Sequence, residues 1–140
     1  MFLIGSKMTD KYILGTIEKN HIELIRMWRN EQINILRQVN FITSIEQEEY
    51  FSNIHKDNKQ ILFSILDCDE NLSGYCGLTN INYIYETAEL CFIAKTELTK
   101  TKEYDSIFLF ALNELTQYSF RTLNLNKVWV ETYEFRKAVS

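Results

Sequence analysis

The segment from residue 95 to residue 106 carries the side chains best suited to hold a phosphate. Three lysines and two hydroxyl residues surround a short turn that leads directly into a long periodic segment: Lys95, Lys100, Thr101, Lys102 and Ser106. The free N–H groups at the start of a helix bind anions, so this arrangement favours a phosphate-bearing ligand. Glu97, Glu103 and Asp105 oppose that charge locally, and the turn contains no glycine. Taken alone, the turn supports a solvated basic loop that caps a core helix as strongly as a phosphate site.

Metal and thiol chemistry find no support elsewhere in the sequence. None of the three cysteines, Cys68, Cys76 and Cys91, has a second Cys or a His at metal-ligand spacing, so we expect no metal site. An odd number of cysteines without a secretory signal indicates reduced thiols and a cytoplasmic location. The cysteines are therefore assigned to core or strand packing. His21 and His55 are predicted to be solvent-facing helix residues without a catalytic role.

The composition is that of one globular domain. The chain has 140 residues, of which 46% are hydrophobic and 24% charged, enough for a real core. A net charge of −4 argues against a general nucleic-acid surface. No apolar run approaches the ~20 residues of a membrane helix, so we expect no membrane association. Residues 1–7 are too few for a signal peptide and are interpreted as a leader or a cloning remnant before Met8.

Hydrophobic periodicity predicts five strands and three helices. The strands are expected at residues 11–17, 59–67, 72–84, 87–95 and around 128–130. Capping-box patterns, Asn20 with Glu23 and Ser44 with Gln47, are expected to begin the first two helices. An apolar stripe predicts the third helix over residues 105–121. Short turns favour an antiparallel meander, and the final strand–helix–strand unit favours a right-handed parallel crossover, giving a mixed sheet in an α/β domain.

This order of elements, with three phrases at fixed places in it, resembles the GNAT acyltransferase superfamily over residues 10–140. The phrases are IRMWRNEQ at 25–32, GYCGLTNINYIYETAELCFI at 74–93 and YSFRTLNLNKVWVETYEFRKA at 118–138. Within that superfamily they look most like the Rim-type N-terminal acetyltransferases and the bacterial amino-sugar N-acetyltransferases. The resemblance implies the acyl-CoA N-acyltransferase fold and acetyl-CoA as cosubstrate.

The resemblance also implies where acetyl-CoA lies. Its pantetheine arm would lie where the fourth and fifth strands splay apart, against backbone groups of the fourth strand: Phe92, Ile93, Ala94 and Lys95. The turn into the third helix would take the pyrophosphate, and the residues assigned to it are Lys100, Thr101, Lys102, Glu103, Tyr104, Asp105 and Ser106. A neutral amine would attack the thioester directly, with a base removing its proton and a backbone N–H stabilising the oxyanion.

The catalytic assignments follow from the same resemblance. Glu89 on the fourth strand and Glu131 on the fifth are candidates for the base or for orienting the amine. Their alternative is a strand-end carboxylate paired with a neighbouring Lys or Arg. Tyr133 is the candidate acid, with a plain strand-end aromatic residue as its alternative.

The acceptor would enter between the first helix and the fourth strand. The residues assigned to its binding are Arg29, Asn30, Asn80, Asn82 and Tyr85. A guanidinium at Arg29 suits the phosphates of a nucleotide sugar. Trp28 beside it is better interpreted as a core residue.

Two features depart from the family pattern. The family turn has Gln or Arg, two residues, Gly, one residue, and Gly or Ala. Here Lys100, Glu103 and Asp105 align with those positions. A carboxylate there would crowd and repel a phosphate, and Asp105 as the N-cap would occupy the N–H groups the phosphate needs. The chain also ends at Ser140, where relatives continue through another helix and two strands, and Arg136 replaces a common Asn.

The second departure predicts a truncated or shortened family member that lacks the C-terminal strands. Its fifth strand would be exposed and covered by a second copy or a swapped segment, so a homodimer is expected. The sequence thus predicts a single bacterial, cytoplasmic GNAT-like domain over residues 1–140 that acetylates a small-molecule or peptide amine, on an amino sugar or a protein N-terminus. The alternative is a degenerate fold that serves as a CoA-binding or protein-interaction domain. A fragment of a longer enzyme would reconcile the two.

Overall fold

A computed structural model describes residues 3–4, 11–32, 42–54 and 56–130 of the chain. Its strands and helices, in chain order, are β1 Leu3–Ile4, β2 Tyr12–Gly15, α1 Lys19–Glu31, α2 Ser44–Ile54, β3 Ile61–Asp67, β4 Leu72–Asn82, β5 Thr87–Ala94, α3 Glu103–Gln117 and β6 Lys127–Val130. A 3-10 turn at Thr96–Leu98 precedes α3, and a π-helical turn at Tyr118–Thr122 follows it. No helix in these ranges is long and apolar enough to cross a bilayer.

The strands form one mixed sheet in which neighbours in sequence are neighbours in space. The order is β1-β2-β3-β4-β5-β6. Each of the first five strands runs antiparallel to its neighbour, and β6 runs parallel to β5 after the crossover through α3. The predicted meander and the predicted parallel final pair are confirmed.

The N-terminal segment corrects one prediction. Leu3 and Ile4 form β1 and pair with Leu14 and Gly15 of β2, so these two residues belong to the sheet. Two residues are too few to produce a recognisable alternation, which is why the pattern was missed. The fourth and fifth predicted strands are accordingly β5 and β6.

Two separate layers of side chains cover the sheet. The α3 face buries the larger core: Tyr12, Leu14, Phe63, Ile65, Cys76, Leu78, Ile81, Ala88, Leu90, Ala94, Ile107, Ala111, Leu115 and Leu125. The α1/α2 face buries a smaller cluster: Ile25, Trp28, Phe51, Leu66, Leu72, Tyr75 and Ile93. Trp28, 5% exposed, is thus a core residue as expected.

The helix starts differ from those predicted. The N-cap of α1 is Glu18, and its backbone N–H donates to Nδ1 of His21 at 3.0 Å in a reciprocal capping box. His21 is therefore buried, at 5% exposure, and is not solvent-facing. The start at Asn20 was wrong because Glu and His can fill the two capping roles as well as Asn and Glu.

The second and third helices are also shifted at their first turns. Thr43 caps α2, because its hydroxyl accepts the Glu46 N–H at 3.2 Å and donates to the Glu46 carboxylate at 2.8 Å. Gln47, the predicted capping partner, is instead buried at 1% exposure. The third helix begins at Glu103, two residues before the predicted start, and buries Ile107, Ala111 and Leu115.

Candidate active site

The C-terminal half of β5 is the segment to which the family resemblance assigns the pantetheine arm. Residues 87–90 of β5 pair with residues 127–130 of β6, the last residues of the chain that the structure describes. Cys91–Ala94 pair with β4 on the opposite edge of β5. The opening predicted for the cofactor would have its β5 wall at Cys91–Ala94.

Glu89 lies at the start of that opening, on the α1/α2 face. Its neighbours Ala88 and Leu90 both belong to the α3-face core, so the alternation of the strand directs Glu89 to the other side. The carboxylate is 8% exposed and accepts a hydrogen bond from Nδ2 of Asn80 at 3.0 Å. Asn80 reaches it because β4 has a bulge there, with Asn80 at φ 50°. The structure thus gives a buried carboxylate that a neutral amide orients.

Arg29 of α1 is the second charged residue of the candidate site and contacts α2. Its Nη1 donates to Oε1 of Gln47 at 3.2 Å, and its guanidinium lies 5.7 Å from the ring centroid of Tyr50. The Tyr50 hydroxyl donates to Oε1 of Gln60 at 2.7 Å. Nε2 of Gln47 is buried without a hydrogen-bond partner in the described structure. A buried orphan donor next to a fixed cation is a feature that a ligand or a water molecule would satisfy.

Burial keeps the ionisable groups near Glu89 and Arg29, namely Tyr50, Tyr75 and Cys91, in their neutral forms. Burial, with a smaller contribution from Glu89, raises the pKa of the Cys91 thiol to about 12. Burial also raises the pKa of the Tyr50 and Tyr75 hydroxyls above their usual range. The thiol is therefore protonated at neutral pH and is a poor nucleophile. This favours direct attack by an amine over a covalent intermediate on the protein.

The cysteines only partly match the predicted packing role. Cys76 is buried in the core, as expected. Cys68 is exposed in the β3–β4 turn, and Cys91 is half-buried on the α1/α2 face. None of the three is in a disulfide.

A cavity of about 460 Å³ continues this face towards the start of α1. Gln60 connects it to Tyr50, and by strand register it is roughly 10 Å, or two strand spacings, from Glu89. The lining residues are Ile17, Ile22, Phe51, Asp57, Asn58, Gln60, Ile61, Leu62 and Tyr83. Its size and its mixed apolar and amide lining suit a small-molecule ligand.

The turn before α3 presents its N–H groups without a competing side chain. The residue before the helix, Lys102, makes no side-chain cap, and the Thr101 hydroxyl donates instead to the Leu98 carbonyl at 2.8 Å. Asp105 is not the N-cap, since it lies exposed within the first turn. The prediction that Asp105 is the N-cap of this helix is therefore wrong. Lys100 and Lys102, in the turn before the helix, are exposed.

Glu103, the other acidic residue of the turn, is held by the first strands of the sheet. Nζ of Lys11 lies 2.8 Å from both carboxylate oxygens. The Tyr12 hydroxyl donates a short hydrogen bond to Oε1. The hydrogen bond from Lys11 and then that from Tyr12 lower the pKa of the Glu103 carboxyl, so it is ionised and neutralised locally. The predicted repulsion of a phosphate by this carboxylate is thereby reduced.

Some of the predicted pantetheine contacts already have partners. The Ala94 carbonyl accepts a hydrogen bond from Nε2 of Gln32 at 2.7 Å, and the Lys95 N–H donates to the Ser73 carbonyl at 2.8 Å. The Phe92 side chain packs against the rings of Tyr104 and Phe108, with centroid distances of 5.7 and 5.1 Å. The arm of the cofactor would have to use the remaining backbone groups of this segment.

Of the residues predicted to bind the acceptor, Asn30 and Asn82 have local structural partners, and Tyr85 is exposed. Asn30 holds the backbone of Ile42 through both its amide groups, at 3.0 and 2.7 Å. Oδ1 of Asn82 accepts the N–H groups of residues 84 and 85 at 3.0 Å each, which closes the β4–β5 turn. Tyr85 is 73% exposed at the tip of that turn. Of the five predicted residues, Arg29 and Asn80 lie at the candidate site itself.

Further predicted residues lie outside the described part of the chain: Glu131, Tyr133, Arg136 and His55. Conversely, Gln32, Gln47 and Tyr50 were missed. They lie in amphipathic helices, where a polar residue ordinarily faces solvent. The sequence offered one signal for two of them: Gln47 and Tyr50 lie on the same face of α2 as the apolar Phe51.

Comparison with known proteins gives matches over nearly the whole chain. Residues 14–138 match the family described as the acetyltransferase (GNAT) domain. The spermidine N(1)-acetyltransferase of Vibrio cholerae serotype O1 is 27% identical over 126 residues, covering 88% of this chain and 70% of that protein. A crystal structure of the Vibrio cholerae spermidine N-acetyltransferase with CoA and spermine has a TM-score of 0.75 at 28% identity, covering 92% of this chain and 76% of that one. A dodecameric structure of that enzyme has a TM-score of 0.69.

These matches confirm the fold and the acetyl-CoA-dependent chemistry that the sequence predicted. They support the superfamily rather than the narrower likeness to Rim-type or amino-sugar enzymes, because the relatives just described act on spermidine.

Proposed function

Because the chain belongs to the GNAT acetyltransferase family, we propose that it acetylates a primary amine on an acceptor that also carries negative charge. The leading candidate is an amino sugar linked to a nucleotide. The observation that carries this proposal is the Arg29 guanidinium, which Gln47 and the Tyr50 ring hold in the candidate acceptor site.

The residues of the α3 turn fit the pyrophosphate of acetyl-CoA. No side chain caps the first turn of α3, although the Tyr104 N–H donates to the Thr101 carbonyl at 3.2 Å, and the lysines at 100 and 102 are exposed beside it. Bound acetyl-CoA would supply an activated thioester. The backbone of β5 beyond Leu90 would orient it, and the α1/α2 face would hold the acceptor.

Glu89 takes the proton of the attacking amine in this proposal, directly or through a water molecule. Asn80 keeps the carboxylate pointing to the α1/α2 face. The Cys91 thiol, two residues further along β5, has a raised pKa and stays protonated, so it adds no second negative charge to the site. Glu131 and Tyr133 stay predictions from the family resemblance, as second base and acid.

A fixed cation discriminates between acceptors by charge. A polyamine carries several positive charges, and Arg29 would repel them in a partly desolvated site. A nucleotide sugar brings phosphates, which a guanidinium binds through two parallel hydrogen bonds. The adjoining cavity of about 460 Å³ would take the body of such an acceptor.

A polyamine is the second candidate, favoured by one specific observation. The relatives described above are spermidine acetyltransferases, and the outer face of α2 carries Glu46, Glu48 and Glu49, all exposed. Those carboxylates suit a polycation at the surface. They do not remove the charge of Arg29 from the candidate site.

The test is an acceptor panel with acetyl-CoA. Nucleotide-linked amino sugars, spermidine and a peptide with a free N-terminus would be compared by CoA release and by mass of the acetylated product. We expect kcat/KM to be highest for an amino sugar, and Arg29→Met to raise KM for it roughly tenfold or more while Arg29→Lys raises it less. A preference for spermidine that Arg29→Met leaves unchanged would replace the first candidate with the second.

A homodimer is part of the proposal as well. Trp129 and Val130 of β6 are each 41% exposed, and a second copy would cover such residues. We further propose a cytoplasmic setting, supported by the three unpaired cysteines. Light scattering on the purified chain would measure its molar mass in solution. A mass equal to that of one chain at every concentration tested would exclude the dimer.

A further inference from the structure

The carboxylate of Glu103 is directed away from the side of the molecule where acetyl-CoA would lie. Its partners are Lys11 and Tyr12, at the start of β2. In the sheet order, β2 is three strands from β5, a separation of about 14 Å. The next residue of the helix, Tyr104, packs on Phe92 of β5. The side chains of Glu103 and Tyr104 therefore contact different strands, Glu103 at the start of β2 and Tyr104 on β5.

We call the contact of Lys11 and Tyr12 with the Glu103 carboxylate the clamp. Lys11 contributes a side chain that is 67% exposed, and Glu103 is 28% exposed. Tyr12 is a buried core residue whose hydroxyl is the only polar atom it brings to this contact. The ammonium group lies 2.8 Å from both oxygens, so it covers the charged end of Glu103 and not one edge of it. Asp105, two residues further along the helix, is exposed to solvent.

We propose that Lys11 and Tyr12 are positioning residues for cofactor binding, which hold the Glu103 carboxylate away from the N-terminus of α3 so that a pyrophosphate can bind there. This inference rests on the proposed cofactor site. It explains how a turn with a carboxylate in place of a small residue keeps an anion site. The residues at the start of β2 compensate for the carboxylate.

Loss of the clamp has a specific physical consequence. A carboxylate released at the first position of α3 rotates freely within reach of the helix N-terminus, where it competes with the phosphate for the N–H groups and repels it. The effect falls on the phosphate-bearing half of the cofactor only. Removing the carboxylate as well removes the need for the clamp.

The experiment compares Lys11→Met, Glu103→Gln and the double variant with the wild type. Calorimetric titration measures CoA affinity, and kcat/KM is measured for acetyl-CoA and for S-acetyl-pantetheine, which lacks the pyrophosphate. We expect Lys11→Met to weaken CoA binding roughly tenfold. We expect the double variant to bind CoA as the wild type does. All variants should use S-acetyl-pantetheine equally well.

Other outcomes overturn the inference separately from the proposed function. If Lys11→Met lowers kcat/KM for both thioesters alike, or if Glu103→Gln fails to rescue it, the contact is only a structural link between β2 and α3. If Lys11→Met binds CoA as tightly as the wild type, the clamp has no role in binding. If the wild-type chain itself does not bind CoA, the proposed function fails, and this inference fails with it.

Discussion

At the scale of single residues, Glu89 depends on its surroundings for its candidate role. It is a carboxylate on a strand between two apolar neighbours, 8% exposed, with Asn80 as an amide partner. Side chains of this kind serve as bases when an amine must lose a proton before it attacks. Glu89 pairs with Trp129 of β6, two residues before the segment of β5 where the thioester is predicted to lie.

We predict that Glu89→Gln lowers kcat by about 10²- to 10⁴-fold, because the amide has the same shape but cannot accept the proton. Steady-state kinetics at saturating acetyl-CoA would measure this. Calorimetric affinity for CoA serves as the control and should not change. A variant that keeps kcat within a factor of three would remove Glu89 from the mechanism.

The sequence predicted Glu89, Arg29 and Asn80 as site residues but did not predict the contacts that hold them. A strand carboxylate and a Trp-Arg-Asn phrase are recognisable as one-dimensional patterns. The contacts from Gln47 to Arg29 and from Lys11 to Glu103 link residues 18 and 92 positions apart. Such pairs depend on how the helices pack on the sheet, and local spacing carries no signal of them.

At the scale of elements, the end of α1 is fastened to the end of β5. Gln32 is 4% exposed, and its Nε2 donates to the Ala94 carbonyl at 2.7 Å and to Oγ1 of Thr96 at 3.2 Å. The Thr96 hydroxyl in turn donates to the Glu31 carboxylate at 2.7 Å. This network fixes the helix that carries Arg29 relative to the strand that carries Glu89.

We predict that Gln32→Ala lowers the free energy of unfolding by about 1–3 kcal/mol, because it leaves the Ala94 carbonyl without its partner in a buried place. Urea denaturation would measure the change. The matched control is Gln117→Ala, an exposed glutamine on α3, which should change stability by less than about 0.5 kcal/mol. Equal effects of the two substitutions would contradict the role of the network.

The start of α1 makes a pH-dependent contribution. Burial lowers the pKa of His21, and its Nδ1 accepts the Glu18 N–H, so the folded state favours the neutral ring. Since the folded pKa lies below the unfolded one, the unfolded chain takes up the proton first as pH falls. Stability is then full above the unfolded pKa of about 6.5 and is lost as pH falls through it.

We predict that the wild type loses more stability between pH 7.5 and 5.5 than His21→Gln does. The glutamine can still accept the Glu18 N–H but does not titrate. The Glu103 carboxyl does not interfere, because its lowered pKa places its contribution below this range. Denaturation curves at the two pH values would test this, and parallel losses in both proteins would show that His21 is not responsible.

The predicted elements matched in type and order, whereas their ends did not. Long apolar runs and stripes such as residues 61–67 and 107–115 follow from burial of one face, which composition and spacing encode. The ends depend on caps, and Glu18 with His21 or Thr43 with Glu46 compete with other polar residues nearby. The two-residue strand β1 depends entirely on its pairing with β2.

At the scale of the whole molecule, the proposed cofactor site and the proposed acceptor site would lie on the two sides of the sheet. The helix α3 and its basic turn lie on one face, and the Arg29 cluster with the cavity lies on the other. The only parallel pair among the described strands is β5 with β6. The order of elements predicted that α3 covers one face, because a crossover helix must lie on a single face of a sheet.

The central claim is that this glycine-free turn binds acetyl-CoA, and calorimetric titration of acetyl-CoA into the purified chain tests it most directly. A variant with Lys100→Glu and Lys102→Glu would be titrated in parallel. We predict a dissociation constant of roughly 1–100 μM for the wild type and a loss of binding in the variant, because the charges beside the helix N-terminus are reversed. Absence of binding by the wild type at about 1 mM cofactor would contradict the account.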